Sequence, residues 1–365
     1  MTFPTKLVRE KGYTRSFEKR SAGTGAELVW NKGIAALCDW RLPDEFPDGA
    51  TYTPSPTLAG ALSSPKLPDR LIVDPSRYSD IREGELVWVR LSWLKSFVNQ
   101  VLPMVRASFV LVTGDSDSCV PSETGSPAAT VLQSPKIIHW FTQNYDGSHA
   151  GGKISPIPIG IDFHMLAQSN AWGETVASPA QQEASLRLVL SELPRLSERL
   201  TKVYLDFAWQ KGWGLRSYRR FHPLRGTGFG ESRRSVAKKL RGNPVVFAQA
   251  GPLSRTEMWK QRGRYAFVLS PHGVGLDCHR TWEALALGHI VLVPSSSLDP
   301  LYSGLPVVTL RSWDEITPDN LQKWLAKFSP AKPSSEEIMS RYWVDRMRST
   351  LRNESPERLT RVQES

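Results

Sequence analysis

Tyr265–Val293, YAFVLSPHGVGLDCHRTWEALALGHIVLV, reads as an apolar strand, a glycine-bearing loop, an amphipathic helix and a second apolar strand. The loop carries Pro271, His272, Gly273, Gly275, Asp277, Cys278, His279 and Arg280, and the helix carries Glu283. A strand that feeds a glycine loop onto a helix N-terminus offers free amides and the positive end of the helix dipole to a phosphate. A carboxylate about one turn into that helix stands where a sugar hydroxyl could donate to it. The stretch predicts a parallel α/β sheet and points to a nucleotide-linked ligand.

The same alternation extends in both directions. Upstream, Glu85–Val89 reads as a strand and Leu91–Val101 as a helix stopped by Pro103. Ser108–Thr113, Ile137–Phe141 and Ile157–Ile161 read as further strands. Residues 166–182 are polar and predict a domain boundary; 183–200 read as helical despite Pro194. A second set follows, with strands at Lys202–Phe207, Val245–Ala248, Phe267–Leu269, Ile290–Val293 and Val307–Leu310. Its helices are expected at Ser232–Leu240, Arg255–Gln261, Thr281–Leu287 (closed by Gly288), Leu321–Phe328 and Ser335–Leu351. A chain of 365 residues exceeds the roughly 250–300 at which a single core stops growing. The expectation is therefore a basic arm over 1–25, an N-terminal Rossmann-like domain over 26–168 and a C-terminal nucleotide-binding one over 183–353. The last helix is a candidate to pack back on the first domain.

The run HGVGLDCHRTWEALALGHIVLV resembles the donor-binding segment of exostosin-type glycosyltransferases and, more broadly, the C-terminal Rossmann domain of GT-B glycosyltransferases. KIIHWFTQNYDG and IPIGIDFHML are similar to the closing strands of a GT-B N-terminal domain. Together the resemblance spans residues 85–165 and 200–320. It implies an α/β, GT-B-like fold, two Rossmann-type domains with parallel sheets facing a central cleft. It implies that Glu283 binds the ribose of a nucleotide-diphosphate sugar and that Arg280 and the loop amides hold its pyrophosphate. The acceptor, a glycan or glycoconjugate, would enter from the N-terminal side. Retaining members often carry a second glutamate eight positions before the first; Gly275 stands there, so that paired-carboxylate version is not supported. The exostosin likeness implies inversion, and the phosphate loop implies charge neutralisation without a metal or other cofactor.

Composition narrows the partners. The formal net charge is +10, which favours anions: phosphate-bearing substrates, an acidic membrane surface or nucleic acid. Neither a zinc finger, a helix-turn-helix nor an aromatic-interleaved RNA motif is present, so no specific nucleic acid is expected. Cys38, Cys119 and Cys278 show no metal-ligand spacing. No stretch holds 18 apolar residues, and the first 20 residues are basic and polar without an apolar signal region; the expectation is a cytoplasmic enzyme.

The remaining candidates lie at strand ends. Asp115 and Asp117 in TGDSD follow an apolar strand. Asp-x-Asp also spells a divalent-metal motif of GT-A enzymes, but short acidic pairs are common, and acceptor binding or general-base work is the better reading. His139 and Asp162 are the other candidates for the base. Ten basic side chains against one acid fill 211–241; most read as a solvated face, with Arg216 or Arg220 the best placed for the pyrophosphate. Asp299 borders the donor sugar or closes an Asp-Pro turn. His272 and His279 suit either a phosphate or a structural bond. The rival functions are an inactive nucleotide- or glycan-binding protein of the same fold, which would bind donor without turnover, and a basic nucleic-acid-associated protein, marked by steep salt dependence.

Overall fold

The computed structural model describes residues 26–42, 75–149, 151–207, 233–329 and 336–350. Within them the apolar runs form two five-stranded sheets, parallel throughout. The first comprises β1 (Trp40–Leu42), β2 (Leu86–Arg90), β3 (Phe109–Gly114), β4 (Ile137–Thr142) and β5 (Ile154–Pro156), in that spatial order. The second comprises β6 (Leu200–Leu205), β7 (Val246–Ala248), β8 (Tyr265–Leu269), β9 (Ile290–Pro294) and β10 (Val307–Leu310), ordered β10-β9-β8-β6-β7. Strands β3, β8 and β9 are buried along their whole length, as expected where helices cover both faces of a parallel sheet. The two-sheet α/β architecture expected from the alternation is present.

Strand order matters for function. In the second sheet the chain runs one way from β6 to β7 and the other way from β6 through β8, β9 and β10. The reversal opens a crevice between the carboxyl ends of β6 and β8, the place where open α/β sheets receive ligands. The loop 270–278 leaves β8 at that crevice. The described strands of the first sheet follow one another in a single direction and have no such reversal.

Several local expectations are corrected. The strand expected at Ile157–Ile161 lies instead at Ile154–Pro156. Residues 157–161 leave the sheet because Gly160 adopts φ +70° and pairs with Trp30 in a lone antiparallel bridge. The helix expected over 183–200 spans Pro179–Glu192, with a Ser178/Gln181 capping box at its start. It stops before Leu193 because Pro194 disfavours helical backbone there. Leu91–Val101 is helical but passes from 3₁₀ through α to π geometry. Helices Asn31–Leu37 and Ser126–Gln133 were not anticipated: the first is buried at every residue and so shows no amphipathic period. The basic arm 1–25 lies outside the described residues.

The two sheets share a core. One apolar cluster joins Val110, Val112 and Phe141 of the first to Val268, Val291 and Val293 of the second, with Trp30, Trp282 and Trp343 between them. The helix over 340–350 returns to the first lobe, where Arg348 makes a two-armed ion pair with Asp39 at 3.0 and 3.1 Å. No helix among the described residues is long and apolar enough to cross a membrane.

Gly160 lies hard against the backbone of the segment that opens the first lobe. A Cβ there would fall 2.2 Å from Val29 O and 2.5 Å from Trp30 Cα, whereas at Gly152, also left-handed at φ +69°, it would meet open space. We expect Gly160→Ala to lower unfolding free energy by about 3 kcal/mol. Gly152→Ala should lower it by about 1 kcal/mol. Urea midpoints of the two variants measure the difference.

Candidate functional site

The carboxyl ends of the two sheets meet at a seam built around Asp277. Its Oδ2 accepts from Ile159 N and Trp282 Nε1, both at 2.8 Å, and its Oδ1 accepts from Cys278 N at 2.8 Å. Its own amide donates to Asn144 Oδ1 at 2.9 Å. Ile159 and Asn144 belong to the first lobe and Trp282 to the second. Burial pushes the Asp277 carboxyl up, opposed by those bonds. Expected to bind donor, Asp277 is instead a lobe-to-lobe clamp with its oxygens already engaged. Gly275 is required here by proximity: a Cβ would fall 2.6 Å from Asn144 Nδ2.

The rest of the loop is tightly closed. Gly273 N donates to Gly275 O at 3.0 Å, and His272 Nδ1 donates to Leu276 O at 2.7 Å. The buried His272 ring is held below its ordinary pKa by desolvation and is neutral near pH 7. Arg233, the first residue of helix Arg233–Lys239, reaches the loop from the other side: its Nε donates to His272 O at 3.2 Å and its Nη2 lies 3.5 Å from Cys278 Sγ. A Cβ on Gly273 would sit 3.0 Å from Arg233 Nη2, so glycine lets the guanidinium lie against the loop. Arg216 and Arg220, expected to reach the pyrophosphate, lie outside the described residues; among the described residues of that basic run, Arg233 reaches the loop.

Arg280 and Glu283 are drawn into one buried charge network. Arg280 Nε donates to Asp206 Oδ1 at 2.5 Å, Asp206 Oδ2 accepts from Arg262 Nη2, and Arg280 also lies over the Phe207 ring. Glu283 Oε1 accepts from Arg255 Nη2 at 2.6 Å and Nε at 3.2 Å; its Oε2 lies 3.4 Å from Trp259 Nε1 and 3.7 Å from Arg262 Nη1. Arg255 is further fixed between the Trp172 and Trp259 rings at 4.7 and 4.8 Å, and donates to Gln182 and to Asp162 O. The two arginines beside Asp206 hold its carboxyl below the ordinary range against a large desolvation penalty. Glu283, expected to bind ribose, is 8% exposed and has both oxygens facing protein donors. Three guanidiniums (Arg255, Arg262, Arg280) face two carboxylates (Asp206, Glu283), leaving one positive charge before Arg233 is added. With Asp277 of the loop counted as well, one positive charge remains once Arg233 is included.

The base candidates separate. Asp115, left-handed at φ 58°, accepts from Asn31 Nδ2 and Lys32 Nζ, each at 3.0 Å, and lies 2.9 Å from Arg90 Nε. Lys32 and Arg90 keep its carboxyl low, which makes it a poor base. Asp117 is exposed. His139 sits within β4 rather than at its carboxyl end, with Nε2 2.9 Å from Ser155 Oγ and its ring 4.5 Å from that of Phe141. Burial and Lys153 lower its pKa to about 4. Asp299 closes its own turn, accepting from Ser295 Oγ at 2.6 Å and Ser296 N at 2.8 Å. Only Asp162 among the four base candidates lies on the seam with further titratable groups: His164 Nδ1 stands 2.8 Å from its Oδ1 and the His164 and His279 rings are 5.9 Å apart. His279 Nδ1 donates to Gly160 O at 2.6 Å, which leaves Nε2 as the free nitrogen.

Sequence reading missed His164, Asp206, Arg255 and Arg262. Asp162-x-His164 on a chain turning into a short helix, and an acid closing the apolar run KVYLD, were the available signals. The two arginines gave none, since Glu283 lies 28 residues from Arg255 and Asp206 lies 56 residues from Arg262.

No known family profile matches the chain, and no curated protein matches it. Solved structures similar to it include "OtsA apo structure", at 11% identity, TM-score 0.30, covering 76% of this chain and 75% of that one. Another is "Trehalose-6-phosphate from E. coli bound with UDP-2-fluoro glucose", at 11% identity, TM-score 0.28, covering 76% and 73%. A third is an alpha,alpha-trehalose-phosphate synthase (UDP-forming) from Burkholderia vietnamiensis, at 12% identity, TM-score 0.29, covering 80% and 75%.

Two measurements follow from these geometries. Arg255→Met leaves Glu283 buried beside a weaker partner, and we expect a loss of about 3–5 kcal/mol in chemical denaturation. His139 has a folded pKa of about 4 against an unfolded value near 6.5. The unfolded chain binds the extra proton between those values, so the His139 contribution is complete above pH 6.5 and is lost as pH falls to 4. That loss amounts to about 3 kcal/mol. His139→Gln should flatten this part of the stability–pH curve.

Proposed function

We propose that this protein is a glycosyltransferase that moves a sugar from a nucleotide-diphosphate sugar to an acceptor hydroxyl on a glycan or glycoconjugate. The carrying observation is the strand reversal between β6 and β8, at which the glycine loop 271–278 and an excess of buried guanidinium charge coincide. Bond breaking at the anomeric carbon builds negative charge on the leaving diphosphate. Fixed donors lower that barrier because they need no reorganisation as the charge appears. Arg233 and the loop amides are the groups assigned to that charge. Arg280 supports them through Asp206, and Glu283 shapes the site by holding Arg255. This differs from the exostosin-like assignment, in which Glu283 itself meets the ribose; that subtype rests on the HGVGLDCHRTWEALALG resemblance alone.

The acceptor is assigned to the first-lobe side, at the group of Asp162, His164 and His279. Direct displacement with inversion requires one proton to leave the acceptor hydroxyl. This group is chosen because Asp115 is spent on two cations and His139 on Ser155. A surface contact with anionic membrane is consistent with the net charge of +10.

Isothermal titration against nucleoside diphosphates and their sugars tests the reading. We expect binding of at least one nucleoside diphosphate, weakened tenfold or more by Arg233→Ala, which is about 1.4 kcal/mol. Release of free nucleotide with a glycan acceptor separates a transferase from a binding protein of the same fold. Absence of binding across the nucleotide series sinks both.

A further inference from the structure

We propose that Asp162, His164 and His279 form a site for one divalent transition-metal cation, of the zinc or cobalt class, at the seam between the two lobes. One ligand atom from each residue lies within 4.8 Å of the other two. Asp162 and His164 belong to the segment leaving the first sheet, and His279 begins the helix His279–Ala286 that follows the glycine loop.

Three details of the geometry carry the assignment. First, His279 is oriented as metal-binding histidines are: a backbone carbonyl, Gly160 O, takes its Nδ1–H at 2.6 Å. That fixes the tautomer and presents the lone pair of Nε2. Second, His164 Nδ1 stands 2.8 Å from Asp162 Oδ1, a contact that holds the imidazole against the carboxylate. An imidazole held by a carboxylate through one nitrogen offers the other to a cation. Third, the Asp162 backbone is held by Arg255, which donates to its carbonyl at 2.7 Å, and its Oδ1 accepts from Met165 N at 3.0 Å. The carboxylate is thereby set in place. Lys32 and Arg90, the cations on the first-lobe side, are turned onto Asp115.

Two imidazoles and one carboxylate are a borderline-soft donor set. It suits zinc and its first-row neighbours and is a poor cage for magnesium or calcium, which take oxygen ligands. Three protein ligands leave room for a water or hydroxyl, the arrangement of catalytic rather than closed structural sites. An ion held there would lower the pKa of an oxygen bound to it, and it would join the lobes beside the loop. This departs from the metal-independent expectation drawn from the sequence. Ion binding itself needs neither donor nor acceptor, so it stands or falls apart from the transferase reading.

The test uses the full chain, stripped with a chelator and dialysed. Zn²⁺ and Co²⁺ are titrated by calorimetry, with Mg²⁺ and Ca²⁺ in parallel, and the Co²⁺ complex is read by its visible absorption. We expect one equivalent of Zn²⁺, no comparable binding of Mg²⁺ or Ca²⁺, and a Co²⁺ spectrum showing nitrogen ligation. His164→Ala and His279→Ala should each weaken Zn²⁺ binding 100-fold or more. His149→Ala, a change in a histidine outside the group, should leave it unchanged. Absence of stoichiometric Zn²⁺ binding to the unaltered chain overturns the proposal whatever the variants do. So does tight binding that persists in both folded histidine variants, with circular dichroism establishing that they are folded.

Discussion

The arrangement depends on one buried carboxylate. Asp277 ties Ile159 of the first lobe to Trp282 of the second while its own amide is held by Asn144. Taking a carboxylate out of water is unfavourable unless its oxygens are satisfied. Here three donors do so: Cys278 N and Trp282 Nε1 from its own lobe, and Ile159 N, which reaches only when the lobes are docked. The loop 271–278 inherits its shape from this clamp. Gly275 passes against Asn144, Gly273 passes against Arg233, and the helix that follows starts with His279 already on Gly160 O. The position of every candidate ligand at the seam is thus set by packing between lobes rather than by the loop alone.

The charged network behind the loop follows a similar logic. Asp206 and Glu283 are each enclosed by guanidiniums, and Arg255 is stacked between two indoles. Arginine fits both demands because its planar fork bonds two acceptors while its faces lie against rings. A lysine would satisfy neither. The outcome is a rigid set of positive charges at the one place in the second sheet where topology leaves a crevice. Fixed charge of that sort acts on a developing anion without waiting for side chains to move.

The strands and their alternation with helices were legible because fully buried parallel strands read as unbroken apolar runs, as in YAFVL and IVLVP. Their spatial order was not, since order is set by contacts across tens of residues. The site was legible as a place and less so as a set of roles. His272, Gly273, Gly275, Asp277, His279, Arg280 and Glu283 do cluster at the mouth of β8. Yet a sequence cannot tell a carboxylate that faces a ligand from one that faces an arginine 28 residues away, as Glu283 does with Arg255. Asp115 is a second case. Its cations come from Lys32 and Arg90, and Lys32 sits on a helix so deeply buried that its sequence has no polar face.

The segment 26–30 fastens the rear of the molecule. Glu183, on the helix that leads to the second lobe, takes the amides of Glu27 and Leu28, and the returning chain pairs with it through Val29 N to Ile338 O and Ser340 N to Glu27 O. Both passages of the backbone between the lobes therefore land on one short stretch. Any rocking of one lobe against the other pivots there, as a book opens on its spine. The Ile159–Asp277 bond lies beside that spine, since Gly160 and Ile161 are themselves paired with Trp30 and Val29, so the clamp holds the fold line itself.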